Sequence, residues 1–284
     1  VALAVVEGLS TGAPAARHGP GAPDPRAHVF YKIANAPVLS YPFPHFYVES
    51  VFPEAYYAEL LDALPPLARY TQIGATGTVT AGSYPERFIL DPTALGEGAP
   101  DARHNPWQDV GDWMAGSAFS DLLLGKFEAF ATARFGAGNQ LRVTSDARLT
   151  RDFTHYAIGP HTDTPRKLVS LLFYLPADHR LSGLGTSIFE PDDPQFTCDG
   201  TRHYGFEGFH KMYTAPFRPN SLFAFFKTDR AFHGVEPIDS GAMERNTLQY
   251  NIYLSKLIRA APAAPASGWR WLRNCPRASG NEVS

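Results

Sequence analysis

The chain has 284 residues, 44% of them hydrophobic and 19% charged, a composition that excludes a disordered or fibrous protein and allows a large buried core. Lys and Arg number 25 against 28 Asp and Glu, a net charge of −3, so there is no basic excess for nucleic acid or an anionic membrane surface. Two cysteines, Cys198 and Cys275, make no disulfide framework, so a reducing, cytoplasmic setting is expected, and no apolar run reaches the length of a membrane span.

Residues 1–37 are rich in Ala, Pro and Gly without a sustained period and read as an extended or partly ordered arm. Its apolar start is stopped by Glu7 and lacks a basic flank, so it does not read as a signal peptide. One domain is expected over 38–258. Within it, residues 42–48 read as a short strand, and Pro53 opens a helix over 54–64 that Pro65-Pro66 ends. Residues 70–100, rich in Gly and Thr, read as loop or irregular strand. Helices are expected over 107–114 and 118–135, the second with Phe119, Leu122, Leu123, Phe127, Phe130 and Ala131 on one stripe.

From about residue 139 the texture changes to strands. Residues 140–149 and 152–158 alternate, and 167–175 is a continuous apolar run suited to a strand buried on both faces. A short strand over 186–189 leads to a polar excursion at 191–212, long enough to serve as a lid. Three more strands are expected over 220–226, 231–238 and 246–255. Residues 259–284 form an Ala/Pro-rich tail in which Trp269-Arg270-Trp271 is either a partner-binding patch or packs on the domain. Helices first and strands afterwards predict an α+β fold: a jelly-roll (double-stranded β-helix, cupin-like) core with supporting N-terminal helices.

The chemistry-bearing feature is His161-Thr162-Asp163, read with His233 in Ala231-Phe232-His233-Gly234-Val235. On a strand, a His and an Asp two positions apart point to the same face. A histidine on a later strand then completes two imidazoles and one carboxylate, the ligand set of non-haem Fe(II) oxygenases. Taken singly, each has a plainer reading: a surface His-x-Asp beside a turn, and a core histidine satisfied by hydrogen bonds. Arg245 opens an otherwise neutral strand, and a buried guanidinium there needs an anionic partner. A dicarboxylate would provide one with bidentate geometry.

These segments, with Gly159-Pro160 before His161, Leu171-Leu172-Phe173-Tyr174-Leu175-Pro176, Gly183-Leu184-Gly185-Thr186-Ser187-Ile188-Phe189 and Asn220-Ser221-Leu222-Phe223-Ala224-Phe225, carry a family resemblance. The sequence resembles the Fe(II)/2-oxoglutarate-dependent dioxygenases, in their prolyl-4-hydroxylase-like branch, over 139–255 and more faintly over 42–64. The resemblance implies that His161, Asp163 and His233 hold Fe(II). It implies that Arg245 pairs with the distal carboxylate of 2-oxoglutarate and that Tyr174 adds its hydroxyl there, a core tyrosine being the alternative. Tyr156 would face the metal-bound end of the cosubstrate. Thr247, Gln249 and Asn251 share the face of Arg245 by alternation and are candidates to line the pocket. Asp239-Ser240-Gly241 lengthen the hairpin ahead of Arg245 relative to this branch.

The implied reaction consumes O2 and 2-oxoglutarate, releases succinate and CO2, and oxidises an unactivated C–H bond. The carboxylate at Asp163 favours hydroxylation or another oxidation over halogenation. Arg148, Arg151, His155, Arg166 and Lys167 surround the first motif and either receive an anionic substrate or, more plainly, are solvated charges; His203 and His210 read as surface residues. An apolar and aromatic excess without a charged groove points to a small-molecule substrate. Alternatives are a peptidyl hydroxylase, a cupin-like metal-binding protein without oxygenase activity, and a metal-free jelly roll with a coincidental His-x-Asp. The sequence does not indicate an oligomeric state.

Overall fold

A computed structural model describes residues 5–6, 24–96, 105–200, 202–237 and 243–260. The elements in order are β1 (Val5–Val6), α1 (Pro25–Asn35), β2 (His45–Glu49), α2 (Glu54–Asp62), β3 (Thr71–Gln72), β4 (Arg87–Leu90), α3 (Pro106–Ala115), α4 (Ser117–Lys126) and α5 (Glu128–Phe135). Then come β5 (Gln140–Phe153), β6 (Ile158–His161), β7 (Lys167–Tyr174), β8 (Thr186–Pro191), β9 (Phe209–Ala215), β10 (Ser221–Phe226), β11 (His233–Val235) and β12 (Glu244–Ile258). No helix among the described residues is long and apolar enough to cross a membrane.

The last eight strands pair as nested antiparallel partners: β5 with β12, β6 with β11, β7 with β10, and β8 with β9. They divide between two sheets. The larger runs β2-β10-β7-β12-β5-β4-β3, with β1 parallel on β5, and the smaller runs β6-β11-β8-β9. The molecule is therefore α+β, with two largely antiparallel sheets.

Alternation in the central strands decides what each face does. In β7, Val169, Leu171 and Phe173 enter one apolar cluster with the helices, while Leu172 and Tyr174 enter another with Ile188, Ala215 and Phe223. In β12, Leu248, Tyr250 and Ile252 join the helix-side cluster, which leaves Arg245, Thr247, Gln249 and Asn251 on the opposite face. The run over 167–175 is buried on both faces, as its composition predicts. Each such Leu or Phe contributes about 1.5–3 kcal/mol of burial.

Four expectations need correction. The arm over 1–37 is not extended throughout, because Pro25–Asn35 is helical. Asp24 accepts the Arg26 N–H at 3.0 Å, Pro25 presets the first turn, and Val29 and Ile33 are wholly buried one turn apart. The stretch 118–135 is two helices broken at Phe127 (φ −102°, ψ 16°), whose buried ring lies 5.8 Å from both Phe46 and Phe226. Residues 140–149 and 152–153 belong to one strand, β5, because Thr150 and Arg151 continue the ladder opposite Thr247 and Asn246. The strand expected over 231–238 is only His233–Val235. Residues 7–23, the turn Asp239-Ser240-Gly241 and the tail from 261, with Trp269-Arg270-Trp271, lie outside the described residues.

Candidate active site

His161 ends β6 and His233 begins β11, and the two are direct cross-strand partners with ring centroids 4.4 Å apart. Each ring is tied to its own backbone: His161 Nδ1 donates to Gly159 O and His233 Nδ1 to Ala231 O, both at 2.9 Å. A carbonyl only accepts, so both protons sit on Nδ1 and both Nε2 atoms keep a lone pair. Burial holds both imidazoles below the ordinary histidine value, and for His161 the neighbouring His233 adds to the effect.

Asp163 is not on a strand with His161, as alternation predicted; it lies in the loop between β6 and β7. Its Oδ1 accepts from Lys167 Nζ at 2.9 Å and its Oδ2 from Ser170 Oγ at 2.6 Å. Oδ2 is also 4.0 Å from His233 Nε2. Burial alone would raise this carboxyl, but the Lys167 ammonium and the Ser170 hydrogen bond override it and hold it well below the usual carboxylate range. One donor atom from each of His161, Asp163 and His233 lies within 4.8 Å of the other two. Two imidazole nitrogens with free lone pairs and an ionised carboxylate suit a divalent first-row metal.

The three face a cavity of about 180 Å³ that is also lined by Tyr156, Arg87, Arg245, Lys167, Gln249 and Asn251. Arg245 does not wait for an external anion, as the sequence suggested. Its Nη1 donates to Asp152 Oδ2 at 2.8 Å and its Nε to Leu184 O at 2.9 Å. Asp152 is fully buried and shared: Arg87 grips it through Nε to Oδ1 at 2.6 Å and Nη2 to Oδ2 at 2.8 Å. Two guanidiniums on one carboxylate leave an excess positive charge at this end of the cavity.

Tyr156 lines the cavity with its ring 4.2 Å from the Arg87 guanidinium carbon, and burial pushes its phenol up. Tyr174 is fully buried behind the lining. Its hydroxyl accepts the Thr186 N–H at 3.1 Å, and its ring lies 5.8 Å from the Arg245 guanidinium. Thr186 does line the cavity; its buried Oγ1 lies near the Tyr174 hydroxyl and meets no partner in hydrogen-bond geometry among the described residues. Gln249 and Asn251 line the cavity, whereas Thr247 is bonded to Thr150.

Of the five charged residues around the first motif, Lys167 reaches the cavity. Arg148 pairs with Asp146, Arg151 with Glu244, Arg166 caps the Leu254 carbonyl, and His155 is exposed. His210 is exposed and pairs with Asp192. His203 is exposed too, yet its ring lies 4.4 Å from that of His161, tilted by 40°, and its Nδ1 meets the Tyr84 hydroxyl at 2.6 Å. The 191–212 excursion is anchored at its base, where Phe196, Tyr204 and Phe209 pack on Phe232, the residue before His233.

Sequence reasoning missed Arg87, Thr186 and Ser170. Arg87 comes from a Gly/Thr-rich stretch without a period, and no sequence signal ties it to Asp152. The spacing of Lys167 from Asp163 was visible, but nothing in it distinguished a cavity cation from a solvated one.

No family model matches the chain, and no curated protein matches it. The solved structures it is similar to include members of the superfamily that its motifs resemble. One is an oxidoreductase of the 2OG-Fe(II) oxygenase family from Burkholderia pseudomallei, 14% identical over 74% of this chain and 84% of that chain, TM-score 0.39. A second is a Pseudomonas putida prolyl-4-hydroxylase, 13% identical over 80% of this chain and 98% of that chain, TM-score 0.40. A third is the non-heme alpha ketoglutarate dependent epimerase SnoN from nogalamycin biosynthesis, 15% identical over 90% of this chain and 93% of that chain, TM-score 0.45. Likenesses this distant carry no weight for the chemistry, which rests on the geometry of the site.

Proposed function

We propose that this chain is an Fe(II)- and 2-oxoglutarate-dependent oxygenase that hydroxylates, or otherwise oxidises, an unactivated C–H bond of a small molecule, on a double-stranded β-helix formed by β5 to β12. The observation that carries the reading is the matched pair of histidines. Both are locked by their own backbone carbonyls with Nε2 free, in register across β6 and β11, beside an ionised carboxylate in one cavity. When bound, iron supplies the oxidising chemistry, coupled to conversion of 2-oxoglutarate to succinate and CO2.

The chain's own residues bind, orient and exclude water. His161, Asp163 and His233 hold the metal. Arg87 and Arg245, with their excess charge over Asp152, attract the distal carboxylate of the cosubstrate, and the Thr186 hydroxyl is placed to donate to it. Tyr156 closes the wall beneath Arg87, and Tyr174 acts from behind, holding Thr186 and flanking Arg245. Correct chelation is a positioning problem, and buried, hydrogen-bonded partners solve it. The limited volume of the cavity, about 180 Å³, supports a small molecule over a peptide.

Fe(II) added anaerobically with 2-oxoglutarate is expected to give a visible charge-transfer band, absent in His233→Ala and in Asp163→Ala. In air, those variants lose substrate-dependent succinate formation. Metal binding without any 2-oxoglutarate-dependent band would overturn the reading in favour of a metal-binding protein that is not an oxygenase.

A further inference from the structure

Asp163 sits on a loop, outside the strand ladders, so no strand pairing fixes its position. The next strand does so instead: Lys167 opens β7 with its ammonium on Oδ1 at 2.9 Å, and Ser170, three residues further in and past a register shift of the ladder, donates to Oδ2 at 2.6 Å. The Lys167 side chain is 17% exposed, so this contact is not the loose ion pair of a surface. The two oxygens of Asp163 are thereby made unequal. Oδ2 looks towards His233 Nε2 at 4.0 Å, while Oδ1 is turned to a fixed positive charge.

We propose that Lys167 is a positioning residue that makes Asp163 a one-oxygen metal ligand. An ionised carboxylate offers about four lone-pair sites and no donor. Ser170 takes one site on Oδ2, leaving the other for a metal shared with the histidines. A second bond, through Oδ1, would set a divalent cation against the ammonium on one oxygen, and the repulsion disfavours it. With His161 and His233 each giving one bond, a single-oxygen Asp163 keeps one more position on the metal open than a chelating carboxylate would. The inference rests on the metal-centre reading above, because a cosubstrate that binds through two atoms and an oxidant that needs a third position require that vacancy.

The test uses Mn(II) alone on the full chain, with affinity and bound-water number read by electron paramagnetic resonance in H2(17)O. Lys167→Met is expected to bind Mn(II) about tenfold more tightly, because a positive charge beside the cation is gone and Oδ1 becomes available, and with one fewer metal-bound water than wild type. Lys167→Arg restores both values. Ser170→Ala leaves the ammonium on Oδ1 and keeps the wild-type water number, a comparison that survives should Lys167→Met fail to fold; Lys167→Gln then serves as the neutral variant. An unchanged water number in a folded neutral variant, or weaker binding that Lys167→Arg does not rescue, would overturn the proposal. Failure of the wild type to bind Mn(II) at all would instead overturn the metal-centre reading itself.

Discussion

At the scale of single residues, Asp152 sets the charge of one end of the cavity. It is fully buried between Arg87 on β4 and Arg245 on β12, each its cross-strand partner on either side of β5. Removing its charge leaves two guanidiniums facing each other in a low-dielectric site, and breaking a buried pair in this way costs about 3–5 kcal/mol. Asp152→Asn is therefore expected to lower the urea midpoint strongly. Arg87→Leu leaves Asp152 with Arg245 and forfeits hydrogen bonds worth about 1.5–3 kcal/mol, so its stability loss is smaller and its main effect is weaker 2-oxoglutarate binding. Urea titrations of both variants decide the order: a larger loss for Arg87→Leu would show that Asp152 is not the hub.

At the scale of elements, the site depends on how the loop after β8 lies against the loop after β6. Gly200 adopts φ +106°, and a Cβ there would stand 1.9 Å from the Asp163 carbonyl oxygen. Gly200→Ala combines backbone strain of about 1–3 kcal/mol with displacement of the loop that carries Asp163, so on the proposed reading Mn(II) affinity should fall along with stability. Gly183→Ala, which meets nothing within 4 Å, is the neutral control. Equal behaviour of the two variants would mean that Asp163 tolerates movement of its backbone. What could be read from the sequence follows the same division. The strands β7, β10 and β12 were legible because each alternates between two apolar or polar destinations. The pair His161 and His233 was legible because both histidines stand in strand-like surroundings. Arg87 was not, since an aperiodic stretch delivers it through a four-residue strand whose register β5 decides. The break at Phe127 was not either, since a helical stripe continues through it and tertiary packing against Phe46 and Phe226 chooses the bend.

At the scale of the whole molecule, helices cover one face of the large sheet and the small sheet covers the other, and buried phenols mark both interfaces. Tyr56 and Tyr57 lie on α2, Tyr250 faces the helices with its ring 4.9 Å from Phe119, and Tyr156 lines the cavity. Burial pushes all four phenols well above the ordinary tyrosine value. The folded chain therefore keeps protons that the unfolded chain gives up once the pH passes about 10. Since the unfolded state binds fewer protons there, stability is intact below that pH and falls as pH rises through it, by about 1.4 kcal/mol per pH unit for each tyrosine. Alkaline unfolding should then be steep, with the tyrosinate absorbance of these four residues appearing together with the loss of near-ultraviolet circular dichroism. Replacing Tyr250 with Phe removes one ionisable group while keeping the ring, so the variant should lose stability less steeply with pH. Titration of all 13 tyrosines near pH 10 with the near-ultraviolet signal intact would mean that the interfaces admit water and that the two layers are not closed.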